Sequence, residues 1–392
     1  MLDKKTMEGD NTKGMLAAVT LVYAGLSIYL YNTYGVKIMN DSPRYLTYAE
    51  NLSGGIYFDP LNFWYISYVF FVAFVKLFAE SNTYIILAQY ILGYVSVLAL
   101  FGATKRLTEN VSIAFLAAMI FTLFPDNLMW NSYVLTEGFY SSMICVALYF
   151  LVTAWKNPTK FNYSILVLIL LIVFFSKPTS PALFIALAFP VIWRWLRNPP
   201  LRGIKLTSLL VAGVLFLFLA NKMISSHRVM LIYENGDIIF AMHEFPTHPH
   251  HDWMTIDIPD DLYKPPVDKP LLQQMASFVI SNPGYFMKLF FGKVVMYISH
   301  IRTYWSWPHN LLMIAFLWPC YFFCFRVMKR KLLSESMIFS AIVYCSMHTI
   351  VVGMTWADWD GRFFVPMLPV IVLIGSLGIA DFFKMNANPS ST

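Results

Sequence analysis

Long, uninterrupted apolar stretches constrain this chain more than any other feature of its sequence. A helix rises 1.5 Å per residue, so about 20 apolar residues are needed to cross a hydrocarbon core about 30 Å thick. Stretches of about that length lie at residues 14–36, 83–102, 207–224, 309–327, 335–354 and 363–381. Hydrophobic residues form 58% of the chain and charged residues 13%, against roughly 45–50% and 25% in soluble domains. The sequence therefore predicts an all-α, polytopic membrane protein.

Four shorter apolar runs predict further spans that pair as hairpins. They lie close together at residues 111–124, 138–154, 163–176 and 180–193. The first long stretch follows several lysines and has no small-residue cleavage site before polar sequence. We therefore expect it to be a retained first span rather than a removed signal peptide.

The distribution of Lys and Arg orients these spans, because cytoplasmic loops carry an excess of both residues. Six basic clusters occur, at residues 4–13, 105–106, 156–160, 194–205, 326–331 and 384. All six lie on one side only if the stretch Leu61–Phe78 does not cross the membrane. Its aromatic residues and Lys76 also suit an amphipathic helix in the interface. We therefore predict about ten spans rather than eleven.

This topology leaves outward loops at residues 37–82, 125–137, 177–180, 225–308 and 355–362. In the largest, Asn235-Gly236 between alternating apolar residues predicts a β-hairpin. Leu271–Ile301 has helical periodicity interrupted at Asn282-Pro283-Gly284, which predicts interfacial helices. The chain thus divides into a transmembrane module at 1–224 with its first outward loop at 37–82, a large outward loop at 225–308, and C-terminal helices at 309–392. The polar tail at Asn386–Thr392 is expected to be disordered.

Charged residues at the outer ends of the spans are the first candidates for function. Placing ionisable groups at the edge of the membrane costs free energy, so groups that share one side of the membrane point to a functional site. All five outward loops contribute such groups. They are Asp41, Arg44, Glu50, Asp126, Glu137, Lys177, Lys288, Lys293, Asp358, Asp360 and Arg362.

The first outward loop bears a family resemblance. It reads Asn40-Asp41-Ser42-Pro43-Arg44-Tyr45 and continues through Ala49-Glu50-Asn51-Leu52 to Gly54-Gly55. An aspartate followed by these residues resembles the first outward loop of the GT-C superfamily of membrane glycosyltransferases. That superfamily includes the protein O-mannosyltransferases and the aminoarabinose transferase of lipid A. Later stretches resemble the family in the same order: Thr136-Glu137-Gly138, Lys177-Pro178, Ser281-Asn282-Pro283-Gly284-Tyr285 and Arg362-Phe363-Phe364-Val365-Pro366. The resemblance implies a GT-C-like bundle.

The resemblance also implies a reaction. A sugar would move from a polyprenyl-phosphate carrier to a hydroxyl of a glycolipid or glycan acceptor, on the outer, periplasmic face of a bacterial plasma membrane. Asp41 would be the general base, with inversion at the anomeric carbon. The other interpretation of Asp41 is a helix N-cap before Pro43, and the two roles are compatible.

Five further residues are predicted to bind substrate, each with a structural alternative. Arg44 would orient Asp41 or contact phosphate, or else form an ordinary salt bridge. Glu137 would bind acceptor hydroxyls, or else stabilise the first turn of a helix. Lys177 and Arg362 would bind the lipid phosphate, or else extend to the membrane interface. Lys288, together with its neighbour Lys293, would meet anionic lipid first and donor phosphate second.

Metal ligands are not assigned. The segment 242–252 holds four of the eight histidines, but its prolines break the spacing that a zinc site needs. The four cysteines lie in apolar runs and are expected to be small buried hydrophobes. Only Asp41 stands where some GT-C members have two acids, so no cofactor is certain and a divalent metal stays open.

Two other functions remain open. A transporter or flippase for lipid-linked sugar would have polar groups within its spans and internal repeats. An O-antigen polymerase or ligase would have arginines and a histidine in its largest loop. The expected partners are the lipid-linked donor, the acceptor and membrane lipids, without nucleic acid.

Overall fold

Helices account for nearly all regular structure in the described part of the chain. The computed structural model describes residues 2–55, 58–60, 62–197, 202–224 and 229–384, so the predicted disordered tail lies outside the described residues. Seventeen α-helices lie in these ranges, and no strand does. In chain order they are α1 (Leu2–Tyr34), α2 (Ser42–Ser53), α3 (Ile66–Lys76), α4 (Asn82–Thr108), α5 (Val111–Leu123), α6 (Pro125–Met129), α7 (Thr136–Lys156), α8 (Lys160–Phe174), α9 (Pro181–Arg197), α10 (Arg202–Ile224), α11 (Val229–Glu234), α12 (His251–Met254), α13 (Leu271–Ser281), α14 (Pro283–Ser299), α15 (Trp307–Arg330), α16 (Glu335–Met354) and α17 (Leu368–Phe382). The predicted all-α class is confirmed.

Six helical segments within the described residues are long and apolar enough to cross a bilayer. They are Asn11–Tyr34, Asn82–Thr108, Thr136–Lys156, Trp307–Arg330, Glu335–Met354 and Val365–Phe382. Helix α5 and the helical turns that follow it are long and apolar enough only when taken together, and they meet at a bend of 63°. The number of candidate spans among the described residues is therefore seven at most. The prediction of a multi-pass membrane protein is confirmed in this form, but the predicted number of about ten spans is not. One reason is length: α8 has 15 residues and rises only about 22 Å.

Within the stretch Leu61–Phe78, residues 63–76 form a short helix. A single 3-10 turn at Phe63–Tyr65 leads directly into α3, and the two together cover three plus eleven residues. Such a helix rises about 21 Å, less than the thickness of a hydrocarbon core. Its length agrees with the prediction that this stretch does not cross the membrane.

The chain folds into two compact units that alternate along the sequence. Unit 1 comprises residues 1–181, 311–338 and 365–392, and unit 2 comprises residues 182–310 and 339–364. In unit 1, α17 and α7 are the most enclosed spans. In their apolar stretches 78% and 67% of the residues are buried, against 11% for α1. Small residues permit this packing. Gly378 of α17 lies directly against the carbonyl of Phe323, where a Cβ atom would overlap it.

Unit 2 contains an apolar core formed by α11, α13 and α14. Val229 and Tyr233 of α11 are buried against Phe278 and Phe286. The predicted β-hairpin at Asn235-Gly236 is wrong, because the preceding residues bury an i, i+4 helical face rather than alternating. Gly236 instead follows the end of the helix with φ +70°, a left-handed conformation that glycine adopts at helix ends. The predicted helices in Leu271–Ile301 are confirmed as α13 and α14, which meet at Asn282.

Candidate active site

The first outward loop brings Asp41 to the start of α2. Pro43 lies in the first turn, where its fixed φ and missing N–H are tolerated. Asp41 occupies the N-cap position, but its side chain makes no capping hydrogen bond. Its Oδ1 lies 3.5 Å from Arg44 Nη2, and both side chains are 31% exposed. The carboxylate is therefore held by a cation while it remains open to solvent.

Two tyrosines hold the guanidinium of Arg44. Its Nη2 donates a hydrogen bond of 2.9 Å to Tyr45 Oη. The guanidinium carbon lies 4.9 Å from the ring centre of Tyr45 and 4.7 Å from that of Tyr65. Burial raises the pKa of Tyr45 well above its ordinary value, so this phenol stays neutral. Arg44 is thereby fixed beside Asp41 without losing its charge.

A row of tyrosines connects this loop to the second outward loop. Tyr45 meets Tyr68 edge to face, with ring centres 5.3 Å apart. Tyr68 Oη donates to Gln89 Oε1 at 2.7 Å. The amide of Gln89 then donates to the carbonyls of Asn131 and Tyr133 at 2.9 and 2.7 Å. Buried polar groups in α4 thus fix the position of the second loop.

Backbone hydrogen bonds join the first and second loops directly. The N–H of Lys37 donates to Ser132 O at 2.9 Å, and the N–H of Val134 donates to Lys37 O at 3.0 Å. The two segments run parallel for this short distance. Asp41, four residues after Lys37, is therefore anchored to the start of α7.

The second and third loops are joined by a buried ion pair. Lys177 Nζ lies 2.7 Å from Glu137 Oε1, and each side chain is only 4% exposed. Thr136 Oγ1 also donates to Ser176 O at 2.8 Å. Lys177 therefore does not extend toward the interface, which was the structural alternative for this residue. The charge of Glu137 contributes, after burial, to the raised pKa of both Tyr45 and Tyr68.

Unit 1 thus brings together four of the predicted site residues, Asp41, Arg44, Glu137 and Lys177. Sequence reasoning included Tyr45 in the family motif without a role, and it missed three residues nearby: Tyr65, Tyr68 and Gln89. The spacing of Tyr65 and Tyr68 along one helical face was the available signal. Asp126 is also buried in this unit, in α6.

Unit 2 holds the other predicted residues. Arg362 Nε donates to Asp358 Oδ2, so the expected pairing of these residues is present. Lys288 is exposed on α14. Lys293, on the same helix, is fully buried: its Nζ donates to Thr355 O at 2.7 Å and lies 4.8 Å from the ring centre of Tyr233. Burial lowers the pKa of Lys293 to about 7.

The histidine-rich segment also lies in unit 2. His243 Nδ1 lies 2.5 Å from Oδ2 of the fully buried Asp237, whose other oxygen accepts from the His243 backbone N–H at 2.8 Å. Among the described residues, no group of three or more histidine, cysteine or acidic side chains is placed to hold a metal ion.

The comparisons with known proteins bear on this arrangement. Residues 60–223 match the family described as dolichyl-phosphate-mannose-protein mannosyltransferase. The matched stretch contains the Glu137–Lys177 pair and begins after Asp41. No curated protein matches the chain. Over residues 60–223, the family match supports the resemblance, predicted from the sequence, to membrane glycosyltransferases of the GT-C type.

Proposed function

We propose that this protein transfers a sugar from a polyprenyl-phosphate carrier to a hydroxyl group of a glycan or glycolipid. The proposal is supported by the family match together with the cluster around Asp41. The matched family is described by a dolichyl-phosphate-mannose donor, so mannose is the first sugar to test. The reaction takes place on the outer, periplasmic face of a bacterial plasma membrane.

Transfer is a single displacement at the anomeric carbon. An Asp41 carboxylate oxygen accepts the proton of the acceptor hydroxyl as that oxygen forms its bond to the anomeric carbon. The bond from the anomeric carbon to the phosphate oxygen breaks, and the lipid phosphate leaves with the electron pair. Attack opposite the leaving group inverts the configuration. A positioned base contributes on the order of 10²–10⁴-fold to such a step.

The accessibility of Asp41 is the single observation that carries this assignment. Its side chain is 31% exposed and lies 3.5 Å from Arg44, whereas that of Glu137 is only 4% exposed and lies 2.7 Å from Lys177. A base must reach the proton that it removes. Asp41 can reach a hydroxyl from solvent, so we assign the base to Asp41 and a positioning role to Glu137.

Cations stabilise the negative charge that develops on the phosphate. Arg44 is the candidate in unit 1, because its guanidinium is partly exposed and oriented by two tyrosines. Lys177, predicted to bind phosphate, is instead assigned to hold Glu137 and the loop that bears it. In unit 2, Arg362 and Lys288 remain candidates for contacting anionic groups of the donor or of lipid.

Product analysis tests the proposed function. Glycolipids and envelope glycans of cells with and without the gene are compared by mass spectrometry, and the gene carrying Asp41→Asn is returned to the deletion strain. We expect one product to lose a single sugar mass on deletion and not to regain it with the variant. Identical glycan profiles in all strains would contradict the proposal.

A further inference from the structure

Unit 2 contains an array of aromatic rings on its outward loops that the proposed chemistry does not use. The array consists of Phe245, His248, His250, Tyr304, Trp305 and Trp359. His248 lies 5.7 Å from both His250 and Trp359, and Tyr304 lies 5.5 Å from Trp359, measured between ring centres. Three separate segments of the chain thus present adjoining rings.

Hydrogen bonds fix these segments to one another. Trp359 Nε1 donates to Phe240 O at 2.8 Å, and Tyr304 Oη donates to Trp359 O. The buried guanidinium of Arg302 donates to the carbonyl of Asp358 at 3.3 Å and lies 5.5 Å from the ring centre of Trp305. The rings are therefore held in place before any ligand arrives, which lowers the entropic cost of binding.

The array is partly open to solvent. Phe245 is 50% exposed, and His248, Tyr304 and Trp359 are each half-buried. Aromatic faces next to imidazole donors and acceptors match the two faces of a pyranose ring, which has apolar C–H groups and peripheral hydroxyls. Binding sites for small polar ligands commonly combine aromatic walls with a few polar groups.

The charge around the array favours a sugar over a membrane surface as its ligand. Between residues 243 and 263 the chain has five acidic residues and neither lysine nor arginine. All five, Glu244, Asp252, Asp257, Asp260 and Asp261, are exposed. Surfaces that bind anionic lipid carry clustered basic residues instead. Arg302 is buried and Arg362 is paired with Asp358, so the exposed charge beside the array is mainly acidic. This charge disfavours anionic lipid head groups and acidic glycans, and it favours a neutral saccharide.

We propose that this aromatic array binds a neutral saccharide of the acceptor by stacking its rings on the sugar. The inference rests on the proposed function, because it names the acceptor as a glycan with neutral sugars rather than a protein side chain or a bare lipid. Binding requires no chemistry at Asp41 and can be measured separately from transfer.

The test uses the full-length protein in phosphatidylcholine nanodiscs, which avoid sugar-based detergents. Saturation-transfer NMR measures binding of mannotriose and chitotriose, both neutral, and of trigalacturonate, which is acidic. We expect the neutral trisaccharides to bind and the acidic one to bind more weakly. Phe245→Ala and His248→Ala should each weaken binding about three- to tenfold, as expected for loss of one aromatic contact.

Trp307→Ala is the matched control, because Trp307 is 75% exposed and lies outside the array. It should bind the trisaccharides like the wild type. Absence of neutral-saccharide binding by the wild type, or unchanged binding by both array variants, would overturn the inference. A nitroxide at Phe245→Cys that is more accessible to oxygen than to a water-soluble nickel chelate would place the array in lipid and overturn it too.

The two proposals fail separately. Transfer that depends on Asp41 without neutral-saccharide binding would remove the array proposal alone. Saccharide binding that depends on Phe245, with no transfer, would remove the proposed reaction alone.

Discussion

At the scale of single residues, the Glu137–Lys177 pair shows how the fold holds charge next to the membrane. Removing an ion from water costs several kcal/mol, and a buried partner at 2.7 Å offsets much of that cost. The pair joins the first turn of α7 to the third outward loop. It therefore stabilises the region to which the Asp41 loop is anchored.

Breaking this pair tests its structural role. Glu137→Gln or Lys177→Met leaves one charge buried without compensation, so each should lower the free energy of unfolding by about 3–5 kcal/mol. The double variant removes both charges and should recover part of that loss. Thermal unfolding of the four proteins in one detergent measures this, and strictly additive losses would contradict a coupled pair.

A second prediction at this scale concerns Lys293 and the pH dependence of the free energy of unfolding. Burial lowers its pKa from 10.5 to about 7. Between those values the unfolded chain binds more protons than the folded protein, so the free energy of unfolding should increase with pH, by at most about 1.4 kcal/mol per unit. Lys293→Met should remove this increase between pH 7.5 and 9.5, measured by denaturant unfolding.

Lys288 is the matched control for Lys293, because it is an exposed lysine on the same helix. Lys288→Met should keep the pH dependence of the wild type. Equal slopes for the wild type and Lys293→Met would show that Lys293 remains charged in the folded protein.

The sequence predicted the charged members of the site but not their neighbours. Asp41, Arg44, Glu137 and Lys177 stand out because charges at the ends of apolar helices are costly. The neutral Gln89 gives no comparable signal, since it lies inside the apolar α4. That Glu137 and Lys177 pair with each other was also not predicted, because forty residues separate them and only the packed loops bring them together.

At the scale of elements, the predicted orientation of the loops depends on the helix Phe63–Lys76. Its fourteen residues rise about 21 Å, too little to cross a bilayer unaided. The positions of the basic clusters had led to the same interpretation from charge alone. Length and charge are independent arguments, and they agree.

Cysteine labelling tests this interpretation. Glu80 is exposed just after the short helix, and its neighbour Ser81 caps α4, so Glu80→Cys leaves the cap intact. In a background without the four native cysteines, a membrane-impermeant maleimide added outside should label this position. Glu109→Cys, after the basic end of α4, should be labelled only from the cytoplasm. Cytoplasmic labelling at position 80 would restore an additional span.

The β-hairpin prediction failed because the local sequence suits two different structures. An Asn-Gly pair between apolar residues suits a hairpin turn and also the end of a helix. The choice depended on the burial of Tyr233 against Phe278 and Phe286, which are distant in sequence. By contrast, the break at Asn282 was predictable, because a following proline disfavours helical backbone at the residue before it.

At the scale of the whole molecule, the packing does not follow the order of the chain. The parts at 1–224, 225–308 and 309–392 divide the chain by its predicted topology and stay a prediction. By packing, the chain has two units that alternate along it. Hydropathy identifies which segments are apolar, but it does not say which helices pack together. The late helix α17 completes unit 1, where it is the most enclosed of the spans.

The central claim is that an accessible carboxylate on the first loop acts as base in sugar transfer. Its most direct test is the rate of product formation by purified protein in liposomes, with polyprenyl-phosphate mannose as donor and the acceptor identified by product analysis. Asp41→Asn keeps the size of the side chain but cannot accept the proton. Glu50→Gln is the control, because Glu50 lies on the same helix and pairs with Lys76.

We expect Asp41→Asn to lower the rate on the order of 10²–10⁴-fold while donor binding stays within about twofold, and Glu50→Gln to transfer at nearly the rate of the wild type. An Asp41→Asn protein that transfers sugar at the rate of the wild type would contradict the account.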